Sequence, residues 1–149
     1  MKSSIRSFVL TAFAAATILA TAHSASAQNI FSSNASGDHQ FGGGGTASVM
    51  VLALPYAGTY MIGGQQAFAN TGNNPSQVVS CWVSTVNGST TGIPFGPQSW
   101  ATVGGLITLP LNGSYTATGP TDLWVVCHNY GAAGSVALAT WGNITAVYE

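Results

Sequence analysis

The stretch Gln77-Val78-Val79-Ser80-Cys81-Trp82-Val83-Ser84-Thr85 decides the fold class of this chain. Val79, Cys81 and Val83 alternate with small polar residues and one tryptophan, and a period of two is typical of a β-strand with one face in a core. The turn signal Asn87-Gly88 follows, as expected where a strand ends and the chain reverses. The stretch therefore predicts a β-strand.

Short segments of the same kind are separated by glycine, proline and asparagine turns along the rest of the chain. They cover Thr46–Leu54, Thr59–Asn70, Ser99–Val103, Leu106–Leu111, Tyr115–Thr118, Leu123–His128, Val136–Trp141 and Asn143–Tyr148. Gly63-Gly64 is a candidate bulge, and Asn112-Gly113 is a candidate turn. We therefore expect an all-β chain that forms a single-domain antiparallel β-sandwich, a jelly roll of about eight or nine short strands.

The N-terminal segment, residues 1–27, has the features of a signal peptide. Lys2 and Arg6 make its start positive, Phe8 to Ala22 form an apolar stretch, and Ala25-Ser26-Ala27 is a small-residue cleavage site. An apolar run of about 15 residues is short for a membrane-spanning helix, which needs ~20. We therefore expect export with removal of this segment, and no membrane span.

Beyond the expected cleavage site the chain divides into two parts. Residues 28–45 are rich in Gly, Ser and Asn and end in the four glycines Gly42–Gly45, a composition typical of a flexible leader. Residues 46–149 contain the β-type segments and are expected to form the sandwich domain. The expected location is outside the cytoplasm: the protein is secreted, extracellular or periplasmic.

Cys81 and Cys127 are the two cysteines of the chain. An even number of cysteines in an oxidising compartment predicts a disulfide between them, and two separate buried thiols are the alternative. A bridge over this separation would stabilise the fold by roughly 4 kcal/mol if it acts through loop entropy. Because no Cys-x-x-Cys pair or histidine cluster accompanies them, we expect no metal site and no cofactor.

Charged residues make up 3% of the chain, whereas about 25% is usual. Both cations lie in the expected signal peptide, so residues 28–149 contain no Lys or Arg and keep only Asp38, Asp122 and Glu149 as acidic residues. Nucleic-acid binding requires cationic side chains, which excludes that class of partner. The carboxylates and histidines are also too few and too scattered for acid–base catalysis, so we expect no catalytic residues and no enzyme activity.

Four tryptophans on four predicted strands are the candidate ligand-binding residues: Trp82, Trp100, Trp124 and Trp141. They either fill the core and its ends or form an aromatic platform that stacks on sugar rings. The second interpretation suits a chain rich in Asn, Ser and Thr, whose amides and hydroxyls bond sugar hydroxyls. We therefore expect a secreted binding module for neutral carbohydrate or a protein surface. The alternative is a self-assembling structural protein of surface-layer or appendage type.

Three segments of the C-terminal half resemble the small secreted β-sandwich proteins with a C1q/TNF-like jelly roll: Leu106–Gly113, Asp122–Val126 and Gly142–Val147. In that family an apolar strand leads to a Gly-Asp turn, a Val-Trp-Leu strand and a final strand. Here Thr121-Asp122 replaces the Gly-Asp pair. The resemblance implies a compact jelly roll that often trimerises and works by binding, so a homo-oligomer, trimer included, is among the expected partners.

Overall fold

The computed structural model describes residues 28–70, 77–89, 99–103 and 105–149, so the expected signal peptide lies outside the described residues. Within these ranges the chain forms eight strands, and no helix is long and apolar enough to cross a membrane. The strands are β1 (Ile30–Gly42), β2 (Thr46–Leu54), β3 (Gly58–Asn70), β4 (Gln77–Ser84), β5 (Ser99–Val103), β6 (Leu106–Ala117), β7 (Thr121–Asn129) and β8 (Val136–Tyr148).

The eight strands form two four-stranded antiparallel sheets. Sheet A has the strand order β1-β8-β3-β6, and sheet B has the order β2-β7-β4-β5. Successive strands cross between the sheets at every connection except the one from β4 to β5. This is the arrangement of a jelly roll, in which two interleaved Greek keys wrap around one core. The predicted all-β antiparallel sandwich is confirmed.

The core lies between the sheets and is made by alternate residues of both. Val79, Cys81 and Val83 of β4 face it, as the sequence pattern predicts, and all three are buried. On sheet A, Phe68 of β3 meets Phe41 of β1 edge to face, with ring centroids 6.2 Å apart. Such aromatic pairs add to the stabilisation that burial alone provides.

The predicted disulfide between Cys81 and Cys127 is present. The two residues are direct register partners on β4 and β7, with Cα atoms 4.2 Å apart, and both side chains are buried. Since β4 and β7 are the two central strands of sheet B, the bond cross-links the middle of that sheet from its core side.

The prediction of a flexible leader over residues 28–45 is wrong from Ile30 onward. Residues 30–42 form β1, which pairs with β8 along its length apart from a register shift between Ser36 and His39. Phe31 and Ala35 pack against the core from this strand. Its polar composition reflects an edge strand with one solvent-facing side, which composition alone does not distinguish from a loose segment.

The glycines that follow β1 form a tight turn. Gly43 N–H donates to Ser135 O at 2.9 Å, and Gly44 N–H donates to Asn129 O at 2.7 Å. A Cβ atom on Gly43 would overlap the carbonyl oxygen of Ala132, so the turn lies directly against the backbone of the β7–β8 loop. Glycine is needed here for close approach of two backbones, and its presence does not indicate flexibility.

The predicted turn at Asn112-Gly113 and the candidate bulge at Gly63-Gly64 are also wrong. Asn112 and Gly113 lie inside β6 and pair with Gly63 and Ile62 of β3 in uninterrupted register. Pairing along β3 overrides the local turn preference of an Asn-Gly dipeptide. Gly64 is required for another reason, because a Cβ atom there would overlap the backbone of Asn143 on β8.

Candidate functional site

The four candidate tryptophans do not form one platform. Trp82 of β4 and Trp124 of β7 alternate with core residues and lie on the outer face of sheet B, whereas Trp141 of β8 belongs to sheet A. Trp100 is placed on β5 opposite Ser80, and its side chain lies outside the described part of the structure. Trp82, Trp124 and Trp141 therefore cannot stack on one ligand ring together.

Trp82 is almost completely buried. Its side chain is 3% exposed, and its indole Nε1–H donates to Ser89 O at 3.3 Å. The turn that contains Ser89 is attached to β2 by a hydrogen bond of 2.8 Å from Gly88 N–H to Ser48 Oγ. Because the indole has no free face of the size that a sugar ring needs, the burial favours the packing interpretation for this residue.

Trp124 lines a groove of about 550 Å³ on the side of the sandwich where β1 and β2 run next to each other. We call it the β1–β2 groove, and its walls come from β1, β2 and β7. Nine of the described residues line it: Ile30, Phe31, Ser32, Ser33, Val51, Leu52, Ala53, Asp122 and Trp124.

The register of β2 and β7 places the polar and aromatic groups of the groove. Trp124 pairs with Val51 and Asp122 pairs with Ala53. Residues two apart in a strand point to the same face, so the carboxylate and the indole lie side by side at a backbone spacing of about 7 Å. The methyl group of Ala53 is too short to cover Asp122, which is exposed.

The β1 wall of the groove is supported from behind by tyrosines. Phe31 contacts Tyr60 and Tyr56 edge to face, with ring centroids 6.0 and 6.1 Å apart. Tyr60 is fully buried, and its hydroxyl donates to Tyr56 O at 2.9 Å. This wall is therefore held in place before any ligand arrives, which lowers the entropic cost of binding.

The edge of β1 also offers backbone groups to the groove. Tyr148 N–H donates to Asn29 O, so the backbone groups of the odd-numbered residues at this end of β1 face β8. Those of Ile30 and Ser32 face the other way. In the described part of the chain, β8 is the one strand that pairs with β1. Donors and acceptors of the main chain are thus available beside the serine hydroxyls.

The groove combines an indole, apolar side chains, hydroxyls and one carboxylate, and residues 28–149 supply no Lys or Arg to balance that carboxylate. The other titratable residues are placed elsewhere. His128 Nδ1 shares a hydrogen bond of 2.8 Å with Thr46 Oγ1, and Asp38 lies in the register shift of β1. Among the described residues no three His, Cys, Asp or Glu side chains form a group that could hold a metal ion.

Trp141 is 44% exposed and lies at a bulge in β8. The register between β3 and β8 shifts between Gln66 and Phe68, so that two β8 residues lie opposite Ala67 alone. Gln66 is buried, and its Nε2–H donates to Trp141 O at 3.0 Å and to Ala67 O at 3.1 Å. This buried amide fixes the bulge from the core side while the indole lies outside.

Sequence reasoning did not identify Gln66 as part of this arrangement. The available signal was weak: Gly142 follows Trp141, and a Cβ atom on that glycine would overlap Gln66 Oε1. The glycine and the glutamine thus fit each other across two strands, a relation that depends on a register the sequence does not display.

No family model and no curated protein sequence matches this chain. Solved structures do match. The T13 particle of infectious bursal disease virus gives a TM-score of 0.63 at 15% identity, covering 93% of this chain and 36% of that chain. The VP2 subviral particle of the same virus gives 0.62 at 18% identity, covering 94% and 37%. This chain therefore spans about a third of the length of the viral chains that it matches.

A TNF-type protein also matches. Eiger TNF from S. frugiperda gives a TM-score of 0.50 at 10% identity, covering 80% of this chain and 92% of that chain. Identities at this level show a shared fold and nothing about ligands. The resemblance to a TNF-like jelly roll is thus supported as a likeness of fold, and the chain is similar in architecture to both viral capsid and TNF-type jelly rolls.

Proposed function

We propose that this protein is a secreted, non-catalytic binding module that holds an uncharged glycan in the β1–β2 groove. The observation that carries the proposal is that the Trp124 indole and the Asp122 carboxylate lie side by side on β7 in one concave site. A sugar ring presents an apolar C–H face that stacks on an indole and hydroxyls that donate to a carboxylate. The two groups together match both aspects of a sugar.

The charge of the site favours a neutral ligand over an acidic one. Asp122 is the charged residue of the groove, and an anionic ligand would meet this carboxylate without a Lys or Arg to compensate. Neutral hydroxyls instead find hydrogen-bond partners in Ser32, Ser33 and the edge of β1 with which no described strand pairs. The ligand that suits the groove is therefore polar and uncharged, with one apolar face.

The secreted location rests on two features of the chain. Cys81 and Cys127 form a disulfide, and disulfides persist in oxidising compartments. The composition of residues 1–27 is that of an export signal. Uncharged polysaccharides of cell walls and extracellular matrices are accessible from that location.

Replacing Trp124→Ala is expected to weaken binding of short neutral oligosaccharides about tenfold or more, which corresponds to ~1.4 kcal/mol, because the stacking surface is lost. Affinity electrophoresis of the exported protein in gels containing β-glucans, mannan or xylan finds the ligand, and titration calorimetry measures the change. Asp122→Asn keeps the shape of the side chain and tests the carboxylate separately.

Trp141→Ala removes an indole on the opposite sheet and is the matched control for short oligosaccharides. Its affinity for them should equal that of the unsubstituted protein. Two results would show that the groove is not a glycan site. Either the protein is retained by no polysaccharide, or the Trp124→Ala variant binds as tightly as the unsubstituted protein.

Self-assembly into an extracellular structure is a second candidate function. Ile30, Val147 and Met61 are neighbours across β1, β8 and β3 on the outer face of sheet A. Ile30 is 63% exposed and Met61 is 49% exposed, so they form an apolar patch at one end of the sandwich. Exposed apolar patches on a protein with little net charge favour association.

If this patch joins copies of the chain, Met61→Glu should convert an oligomer into a monomer in sedimentation velocity experiments, because it places a charge in the contact. Thr108→Glu adds the same charge to an exposed position of β6 on the same sheet and should leave the oligomer intact. A monomer at high concentration in the unsubstituted protein would exclude the second candidate.

A further inference from the structure

The outer face of sheet A carries neutral polar side chains in rows that cross the strands. We call the polar residues of two neighbouring rows the polar face. Ser32, Thr145 and Asn112 form the first row, in which Gly63 of β3 adds no side chain. Asn34, Asn143 and Gln65 form the second row, which ends at Pro110 of β6. Each of these residues is exposed or half-buried. Neighbouring strands are about 4.8 Å apart and same-face residues about 7 Å apart, so the rows form a regular array.

The array is uncharged throughout. Amides and hydroxyls each donate and accept hydrogen bonds, and none of these side chains ionises in the physiological range. A polyanion would find no cation on the polar face, and a polycation would find no carboxylate. Its chemistry is complementary to a neutral polymer with regularly repeated hydroxyls.

The polar face is continuous with the β1–β2 groove at one end and reaches Trp141 at the other. Ser32 lines the groove and also begins the first row. Ser36, four residues further along β1 and so about 13 Å away, is the register partner of Trp141. A ligand that leaves the groove over β1 can therefore cross the polar face and meet the indole of Trp141, whose backbone carbonyl accepts a hydrogen bond from the Gln66 amide at the bulge.

We infer that the ligand of this protein is a long, uncharged polysaccharide, bound by Trp124 in the groove and by the polar face and Trp141 beyond it. The inference rests on the proposed function and adds the chain length of the ligand. Once the groove is filled, the next sugar units of the same chain are already tethered beside the polar face. Each of them adds affinity without a further loss of translational and rotational entropy.

The test measures affinity against ligand length. Cello-, laminari-, manno- and xylo-oligosaccharides, each from the dimer to the octamer, are titrated calorimetrically into the unsubstituted protein. In the series that binds, affinity should rise with each added sugar unit beyond the shortest oligosaccharide that binds. The octamer should bind at least tenfold more tightly than that shortest oligosaccharide. Trp141→Ala should remove this rise and leave the affinity of the shortest binding member unchanged, whereas Trp124→Ala should weaken binding at every length.

A second variant tests the polar face without touching an aromatic residue. The double substitution Asn34→Ala and Gln65→Ala should reduce the gain with length and spare the shortest binding member, with circular dichroism confirming the fold. The inference is overturned if the affinity does not change with ligand length. It is also overturned if the increase in affinity with length persists both in Trp141→Ala and in the double variant. Either result leaves the groove proposal intact. An unsubstituted protein that binds no member of any series overturns both.

Discussion

Replacing both Cys81 and Cys127 with alanine is expected to lower the free energy of unfolding by about 2–5 kcal/mol. The bond closes a loop of 46 residues, and its loss releases that constraint on the unfolded chain. The same substitutions remove two buried sulfur atoms from between the sheets, which adds a packing cost. Urea denaturation followed by tryptophan fluorescence measures the change.

Val79→Ala is the matched control because it truncates a fully buried side chain on the same face of β4 and keeps the disulfide. The loss in free energy of unfolding of this variant measures packing alone. Any further loss in the double cysteine variant therefore measures the contribution of the covalent bond. A double variant no less stable than Val79→Ala would show that the bond contributes nothing beyond its volume.

The cysteines illustrate what the sequence determines well. Alternation over residues 77–85 assigns Val79, Cys81 and Val83 to one face, and that apolar face packs between the sheets. The opposite face, with Ser80, Trp82 and Ser84, is buried as well, and alternation did not predict this. An even number of cysteines in an exported chain then favours the bond over two separate buried thiols, without knowledge of the topology. Strand identity, the inward face and the disulfide were therefore all predictable from local pattern.

The candidate site was less predictable because it depends on which strands become neighbours. Trp124 was a candidate by residue type, but four of the groove's nine described lining residues belong to β1, which composition assigned to a flexible leader. Only pairing with β8 makes a strand of those residues. The support of Trp141 by Gln66 likewise depends on a register shift between β3 and β8, and such long-range pairing leaves no mark in a local period.

Gly43→Ala is expected to lower the free energy of unfolding by more than about 2 kcal/mol, which is beyond the usual effect of a surface substitution. Its Cβ atom would overlap the carbonyl oxygens of Gly131 and Ala132. These are backbone atoms, which cannot rotate away as the end of a side chain can, so the β7–β8 loop has to move. That movement strains the hydrogen bond of 2.9 Å from Gly43 N–H to Ser135 O.

Gly119→Ala is the matched control, because a Cβ atom there meets nothing within 4 Å and the backbone is not in the left-handed region. It should change stability by less than about 0.5 kcal/mol. Urea denaturation measures the free energy of unfolding of the two variants. The comparison distinguishes two interpretations of residues 28–45, a flexible leader and a packed strand and turn. A flexible leader would accept Gly43→Ala as readily as Gly119→Ala, whereas a turn packed against the β7–β8 loop cannot. Equal stability of the two variants would therefore mean that β1, and with it one wall of the groove, is only loosely attached to the sandwich.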